Sequence, residues 1–333
     1  MTSRERVQLV LQGKLPDRPP FNFWMDRDKM AELDEKWGAD FRITHYDADV
    51  VEAFPIINWY PGLSAKTYFD GKTVWQLEPM IDSIHKALDL PLPDPSDPAV
   101  YSDIIEKRKR YPDKAIFPLV GGGLALLEPL RLPQNLYIDL YDHPDVIHKI
   151  LKRYQPILLE LTRRICELDI DVLYIAHDIC GRDGPLVSPK HLREFHFDYI
   201  IEMGELAHRM GKKVFYHTDG RVMEIVDLFL EYGFDGINPL EYRFNNPRKF
   251  REIEGGKLIV YGGFDNSNII PNGTVEDVKK HIYDVFDALG KEGKLIFSTH
   301  DIPSYCPLEN LDAMVEAIKS CKYEESEKSL LSL

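Results

Sequence analysis

Residues 213–239 read KVFYHTDGRVMEIVDLFLEYGFDGINP. The run KVFYH (213–217) is continuously apolar at its centre, as in a strand buried on both faces of a parallel sheet. Asp219 or Gly220 then opens a helix that runs to Tyr232 and stops at Gly233. A second short run, DGINP (235–239), follows at once. Strand, helix and strand in one short stretch is the βαβ unit of a parallel sheet.

The unit recurs in both directions. RPPFNF (18–23), DADVVEAF (47–54), AIFPLV (115–120) and DVLYIA (171–176) precede it, and KLIVYGG (257–263) and KLIFST (294–299) follow. Helix signals stand between them. Thr2 and Glu5 fit a capping box, and Gly13 with Pro16 ends that first helix. Ser188-Pro189, Asn246-Pro247, Thr274 and Pro307 open later ones. Eight runs with helices between them predict a single (β/α)8 TIM barrel across residues 1–333. An open doubly wound sheet is the alternative, but no GxGxxG follows the first run, which weakens a dinucleotide-binding form of it.

One stretch breaks the alternation. About residues 55–114 form an insertion after strand two. Asp70-Gly71 between KTYF and KTVWQL signals a hairpin, and the proline-rich PLPDPSDP follows. Over the strand ends of a barrel it would serve as a lid or as surface decoration. The tail, about 322–333, is expected to fray.

Composition narrows the function. The 41 Lys+Arg against 55 Asp+Glu give a net charge of −14. Nucleic acid and anionic membrane both need a basic face, so neither is expected as partner. The 4 cysteines (Cys166, Cys180, Cys306, Cys321) are scattered without a CxxC, which fits a reducing cytoplasm. The charged start MTSRERVQLV is unlike a signal peptide, and the apolar run Ala115–Leu130 is broken by glycines, prolines and Glu128.

In a barrel the working residues follow the strands. Here they are His177-Asp178, His217-Thr218-Asp219-Gly220, Glu241, Gly262-Gly263-Phe264-Asp265 and His300-Asp301. Five successive strands deliver His, Asp or Glu to one rim. Such a ring suits a divalent metal, with zinc the expected ion, held by His217, Asp219, Glu241 and His300. It also suits metal-free acid–base work by His217, Asp219, His300 and Asp178. Each residue has a plainer role open to it. Asp219 can cap a helix, Asp265 can form an Asx turn, Glu241 can be a solvated acid, and the histidines can be buried and hydrogen-bonded. Phe23, Trp24, Trp59 and Tyr60 are candidate walls for a flat apolar substrate, with His177, Glu241 and Asp265 as its polar contacts.

Five segments together resemble the uroporphyrinogen decarboxylase superfamily: TSRERVQLVLQGKLPDRPP, LVSPKHLREFHFDYI, KVFYHTDG, YGGFDNSNIIPNGTVEDVKKHI and CPLENLDAMVEA. They run in family order from residue 2 to about 320. The resemblance implies a (β/α)8 barrel with its pocket at the C-terminal rim. True uroporphyrinogen decarboxylases carry an arginine-rich segment after strand one. Here that place reads FNFWMDRDKM, with Arg27 alone. The resemblance is closer to the cobalamin-dependent methyltransferase branch, whose members hold zinc with a His-x-Cys-Gly motif and a later cysteine. This chain has His217-Thr218-Asp219-Gly220 and His300-Asp301 at those places, so both thiolates are replaced. Harder ligands suit ether activation better than thiol activation. The expectation is therefore demethylation of a small methylated substrate, a methoxyaromatic being the chosen example, with the methyl passed to a corrinoid protein in trans. No DxHxxG cobalamin signature is present. A uroporphyrinogen decarboxylase-type decarboxylase, a non-catalytic binding member and a hydrolase remain open, as does a homodimer.

Overall fold

The computed structural model describes residues 1–70 and 74–323. Its strands are β1 (Trp24–Met25), β2 (Val50–Ala53), β3 (Ala115–Val120), β4 (Val172–Ala176), β5 (Lys213–His217), β6 (Gly236–Asn238), β7 (Ile259–Gly263) and β8 (Leu295–Ser298). Strands β2 to β8 pair in chain order as one parallel seven-stranded sheet. The sheet is curled and TIM-barrel-like. Apolar runs became its strands because β-branched and aromatic residues fit a sheet covered on both faces.

The first run departs from expectation. Residues 18–23 were expected as a strand, but the regular one begins at Trp24, which pairs with Asp301, while Met25 pairs with Ile302. Pro19 and Pro20 have no N–H to give a ladder, so the segment before Trp24 is held by single bonds. The Phe297 N–H donates to the Pro20 carbonyl at 2.8 Å and the Asn22 N–H to the Phe297 carbonyl at 2.9 Å. On its other side the Asp49 N–H donates to the Phe21 carbonyl at 2.7 Å. The segment thus spans from β8 to the start of β2.

Inside the curl lie Val50, Phe117, Val172, Phe215, Ile259 and Ile296. From below, Val7, Val10 and Leu11 of helix Ser3–Leu11 join the same cluster, so this helix plugs the floor. The Thr2–Glu5 capping box forms as expected. Asp49, fully buried, ties the plug to the sheet: it accepts from Arg6 Nη1 at 2.6 Å, Arg18 Nη1 at 2.7 Å and the Phe21 N–H at 2.9 Å. A second, larger cluster lies between the sheet and the outer helices, among them Pro144–Glu167, Asp198–Arg209, Val275–Val285 and Leu308–Ser320.

Between β2 and β3 the chain leaves the parallel sheet. Thr67–Phe69 and Val74–Gln76 pair antiparallel, with Tyr68 opposite Trp75. The turn expected at Asp70-Gly71 lies partly outside the described residues, as does most of the expected frayed tail. Among the described residues no helix is long and apolar enough to cross a membrane.

Candidate functional site

Strand parity builds the site. Side chains two apart share a face, so the interior set continues upward from each strand. Phe215 leads to His217, Val172 to Tyr174, Val50 to Glu52, Phe117 to Leu119, Gly236 to Asn238, and Ile296 through Ser298 to His300. These upper residues, with Trp24, Phe54, Thr299 and Asp301, line a cavity of about 220 Å³ at the C-terminal end of the sheet.

At its edge the ligand atoms of His217, Asp219 and His300 lie within 4.8 Å of one another. His300 Nε2 is 3.3 Å from one Asp219 oxygen, and His217 Nε2 is 3.8 Å from the other. That second oxygen, Oδ1, is buried and has no hydrogen-bond partner. A buried carboxylate oxygen without a donor is costly unless a cation fills the gap. Burial, reinforced by Asp178 and Glu241, pushes the Asp219 carboxyl up to about 6 against the pull of His300 and His217. Burial works against a charge on His300, but the carboxylates of Asp219, Asp301, Asp178 and Glu241 outweigh it and raise its pKa.

The supporting contacts orient both groups. His217 Nδ1 is 2.7 Å from Asn238 Oδ1, and the Asn238 amide nitrogen donates to the Tyr261 carbonyl at 2.5 Å. With the amide so fixed, its oxygen accepts from Nδ1, and Nε2 faces Asp178 and Asp219. Asp219 sits on a turn and not at a helix start, because the next helix begins only at Val226. The expected helix opening at Asp219 or Gly220 is therefore corrected. The turn is held from a distance. Glu241 accepts from the Gly220 N–H, and the Asn245 side chain accepts from the Val222 N–H at 2.9 Å and donates to the Gly220 carbonyl at 2.9 Å. Gly220 has φ +87°, and a Cβ there would stand 2.5 Å from the Gly181 carbonyl, so only glycine fits.

The other expected residues are distributed unevenly. Trp24 is in the cavity wall. Asp178 accepts from the Asp219 N–H at 2.9 Å and lies 3.6 Å from His217 Nε2. Glu241 supports the turn and is not among the three clustered ligand groups. His177 is one step off the interior parity. It lies beside His196 and 3.5 Å from Glu128, where burial pushes its pKa down to about 4. Phe23 packs in the core on Phe41 and Tyr46. Trp59 packs near Tyr154, and the Tyr60 hydroxyl donates to the Leu126 carbonyl at 2.8 Å. Asp265 makes an Asx turn, accepting from the Asn268 N–H at 2.9 Å, while its own N–H donates to His281 Nε2 at 2.9 Å. None of Phe23, Trp59, Tyr60, His177, Glu241 and Asp265 lines the cavity. All four cysteines are buried and unpaired, and burial pushes the Cys180 and Cys306 thiols up to about 12, so neither replaces the thiolates the resemblance would supply.

Residues 70–321 match the profile described as uroporphyrinogen decarboxylase (URO-D). The chain belongs to the uroporphyrinogen decarboxylase family. Its fold is shared by a methyltransferase from Methanosarcina mazei, with TM-score 0.73 and 17% identity over 96% of this chain and 98% of that one. A uroporphyrinogen decarboxylase of Coxiella burnetii (strain Dugway 5J108-111) is 22% identical over 195 residues, 56% of this chain and 51% of that protein. A second from strain RSA 331 is 22% identical over 188 residues, 54% of this chain and 49% of that protein. The chain thus spans about half the length of the curated relatives it matches. The family assignment, together with the cavity, makes the His217–Asp219–His300 group the candidate centre of its chemistry.

Proposed function

We propose that this chain is a methyltransferase of the uroporphyrinogen decarboxylase family that demethylates a small methoxyaromatic and passes the methyl to a corrinoid protein supplied in trans. The observation that carries this is the partnerless buried oxygen of Asp219, set between two histidines at the edge of an aromatic-walled cavity. The fold shared with the Methanosarcina mazei methyltransferase supports it.

The donor set fits a metal. Two imidazoles and one carboxylate suit zinc, and the His217 tautomer already presents Nε2. His217, Asp219 and His300 would hold the zinc, which would supply Lewis acidity for ether activation. The chain's own residues do the rest. Trp24, Phe54 and Tyr174 shape a slot for a flat ring and displace water from it. Asn238 fixes the His217 ring, and Glu241 with Asn245 fixes the turn that carries Asp219. In a metal-free site His300, its pKa raised by Asp219 and the other nearby carboxylates, would instead be the proton donor to the leaving oxygen. As the methyl–oxygen bond breaks, that oxygen takes a proton and leaves as a phenol.

Decarboxylation of uroporphyrinogen is the second reading, favoured by the names of the curated relatives. Against it, no arginine or lysine lines the cavity among the described residues, and about 220 Å³ is small for a tetrapyrrole. Elemental analysis of untagged protein tests the first reading. About one zinc per chain, lost in His217→Ala, followed by phenol release from a methoxyaromatic with a reduced corrinoid protein, is expected. Absence of zinc with turnover of uroporphyrinogen would establish the second.

A further inference from the structure

The cavity carries a charge that the proposed reaction does not use. Glu52 rises from β2 on the interior parity and is 7% exposed. One of its oxygens accepts from the Tyr261 hydroxyl at 2.6 Å, and the other accepts from the Trp24 indole N–H. This fixes both the carboxylate and the indole wall. Asp301 lines the same cavity, and Asp219 stands beyond His217 and His300. Among the described residues no arginine or lysine lines it. The guanidinium of Arg42 packs on the Trp24 ring, 4.0 Å from its centroid, and donates to the Phe23 carbonyl at 2.8 Å; its charge acts on Glu52 from behind the indole wall and does not line the cavity.

We infer that Glu52 makes this cavity selective for an uncharged methoxyarene over one that bears a ring carboxylate. The inference rests on the proposed placement of the substrate in this cavity. β2 and β5 are separated by two strands, so Glu52 and His217 face the cavity from different sides. A ring with its ether at His217 and His300 turns another edge to Glu52. A hydroxyl or amide N–H there can donate to the carboxylate. A substrate carboxylate would be stripped of water beside a like charge, which at contact range in a partly desolvated site weakens binding by about tenfold or more.

Two probes of one shape decide it: 4-methoxybenzamide and 4-methoxybenzoate. Each is titrated calorimetrically into the full chain as isolated, at neutral pH. The amide is expected to bind at least about tenfold tighter. Glu52→Gln should bring the two within about threefold by tightening the benzoate, and Glu52→Asp should keep the preference. Equal binding, a preference for the benzoate, no binding of either probe, or an unchanged ratio in Glu52→Gln overturns the inference. Zinc content measured on the same samples separates the two ideas. A chain that holds zinc without the preference loses this inference alone, and one with the preference but no zinc loses the metal part of the proposed function alone.

Discussion

His281 allows a quantitative test of how burial shapes this fold. It lies on helix Val275–Val285 and is 3% exposed. Its Nε2 accepts the Asp265 N–H at 2.9 Å, and the Tyr242 ring stands perpendicular to it, centroids 4.6 Å apart. An accepting Nε2 cannot also carry a proton, and burial pushes the pKa from 6.5 down to about 4. Between these values the unfolded chain binds a proton that the folded chain does not. Stability from this group is therefore full above pH 6.5, falls as the pH drops, and levels off below about 4. At pH 5 the loss from this one residue works out at about 2 kcal/mol, from about 1.36 kcal/mol per pKa unit. The perturbation is His281→Gln, which can still accept the Asp265 N–H and does not titrate. Urea unfolding of both proteins at pH 7 and pH 5 gives the comparison, and losses from His177 and other shared groups cancel. The wild type should lose about 2 kcal/mol more than the variant over that interval. Equal losses would refute the assignment of His281 as a buried neutral acceptor.

Other expectations follow from the site and its supports. Asn238→Val removes the acceptor for His217 Nδ1 and should weaken zinc binding about 10- to 100-fold in chelator competition, with secondary structure retained. Gly220→Ala forces a Cβ to 2.5 Å from the Gly181 carbonyl at a positive φ, and should cost about 2–4 kcal/mol in urea unfolding. Asp49→Asn leaves Arg6 and Arg18 buried without their shared charge. It should destabilise by about 3–5 kcal/mol while leaving zinc stoichiometry at the distant rim unchanged.

Much of this was legible before the structure. AIFPLV and KVFYH coincide with β3 and β5 because their apolar, β-rich composition suits a sheet covered on both faces. The closeness of His217, Asp219 and His300 was legible because each ends or follows a strand. Glu52, Tyr174 and Asn238 were missed, although period-two alternation from Val50, Val172 and Gly236 points to them. They sit within strands, and attention to what comes after a strand passes over them. The turn at Asp219 was misjudged for a different reason. Its conformation depends on Glu241 and Asn245, more than twenty residues on, and no local signal carries that. The aromatics show the same limit: Trp24 reaches the cavity while Phe23, Trp59 and Tyr60 go to packing, and composition alone does not sort them.

The segment joining β8 to β2 has a consequence for how the molecule comes into being. Trp24 and His300 come from near the two ends of the chain, and they are brought together where Pro20 and Asn22 bond to Phe297 and Trp24 pairs with Asp301. Such distant contacts are made late in folding, when the cost of closing a long loop has been met. During synthesis the cavity has no complete wall until the last strand has emerged. A molecule bound between His217 and His300 would then act as a clasp on that join. Its signature would be slower unfolding of the whole sheet, with the ordering of any one loop a secondary effect.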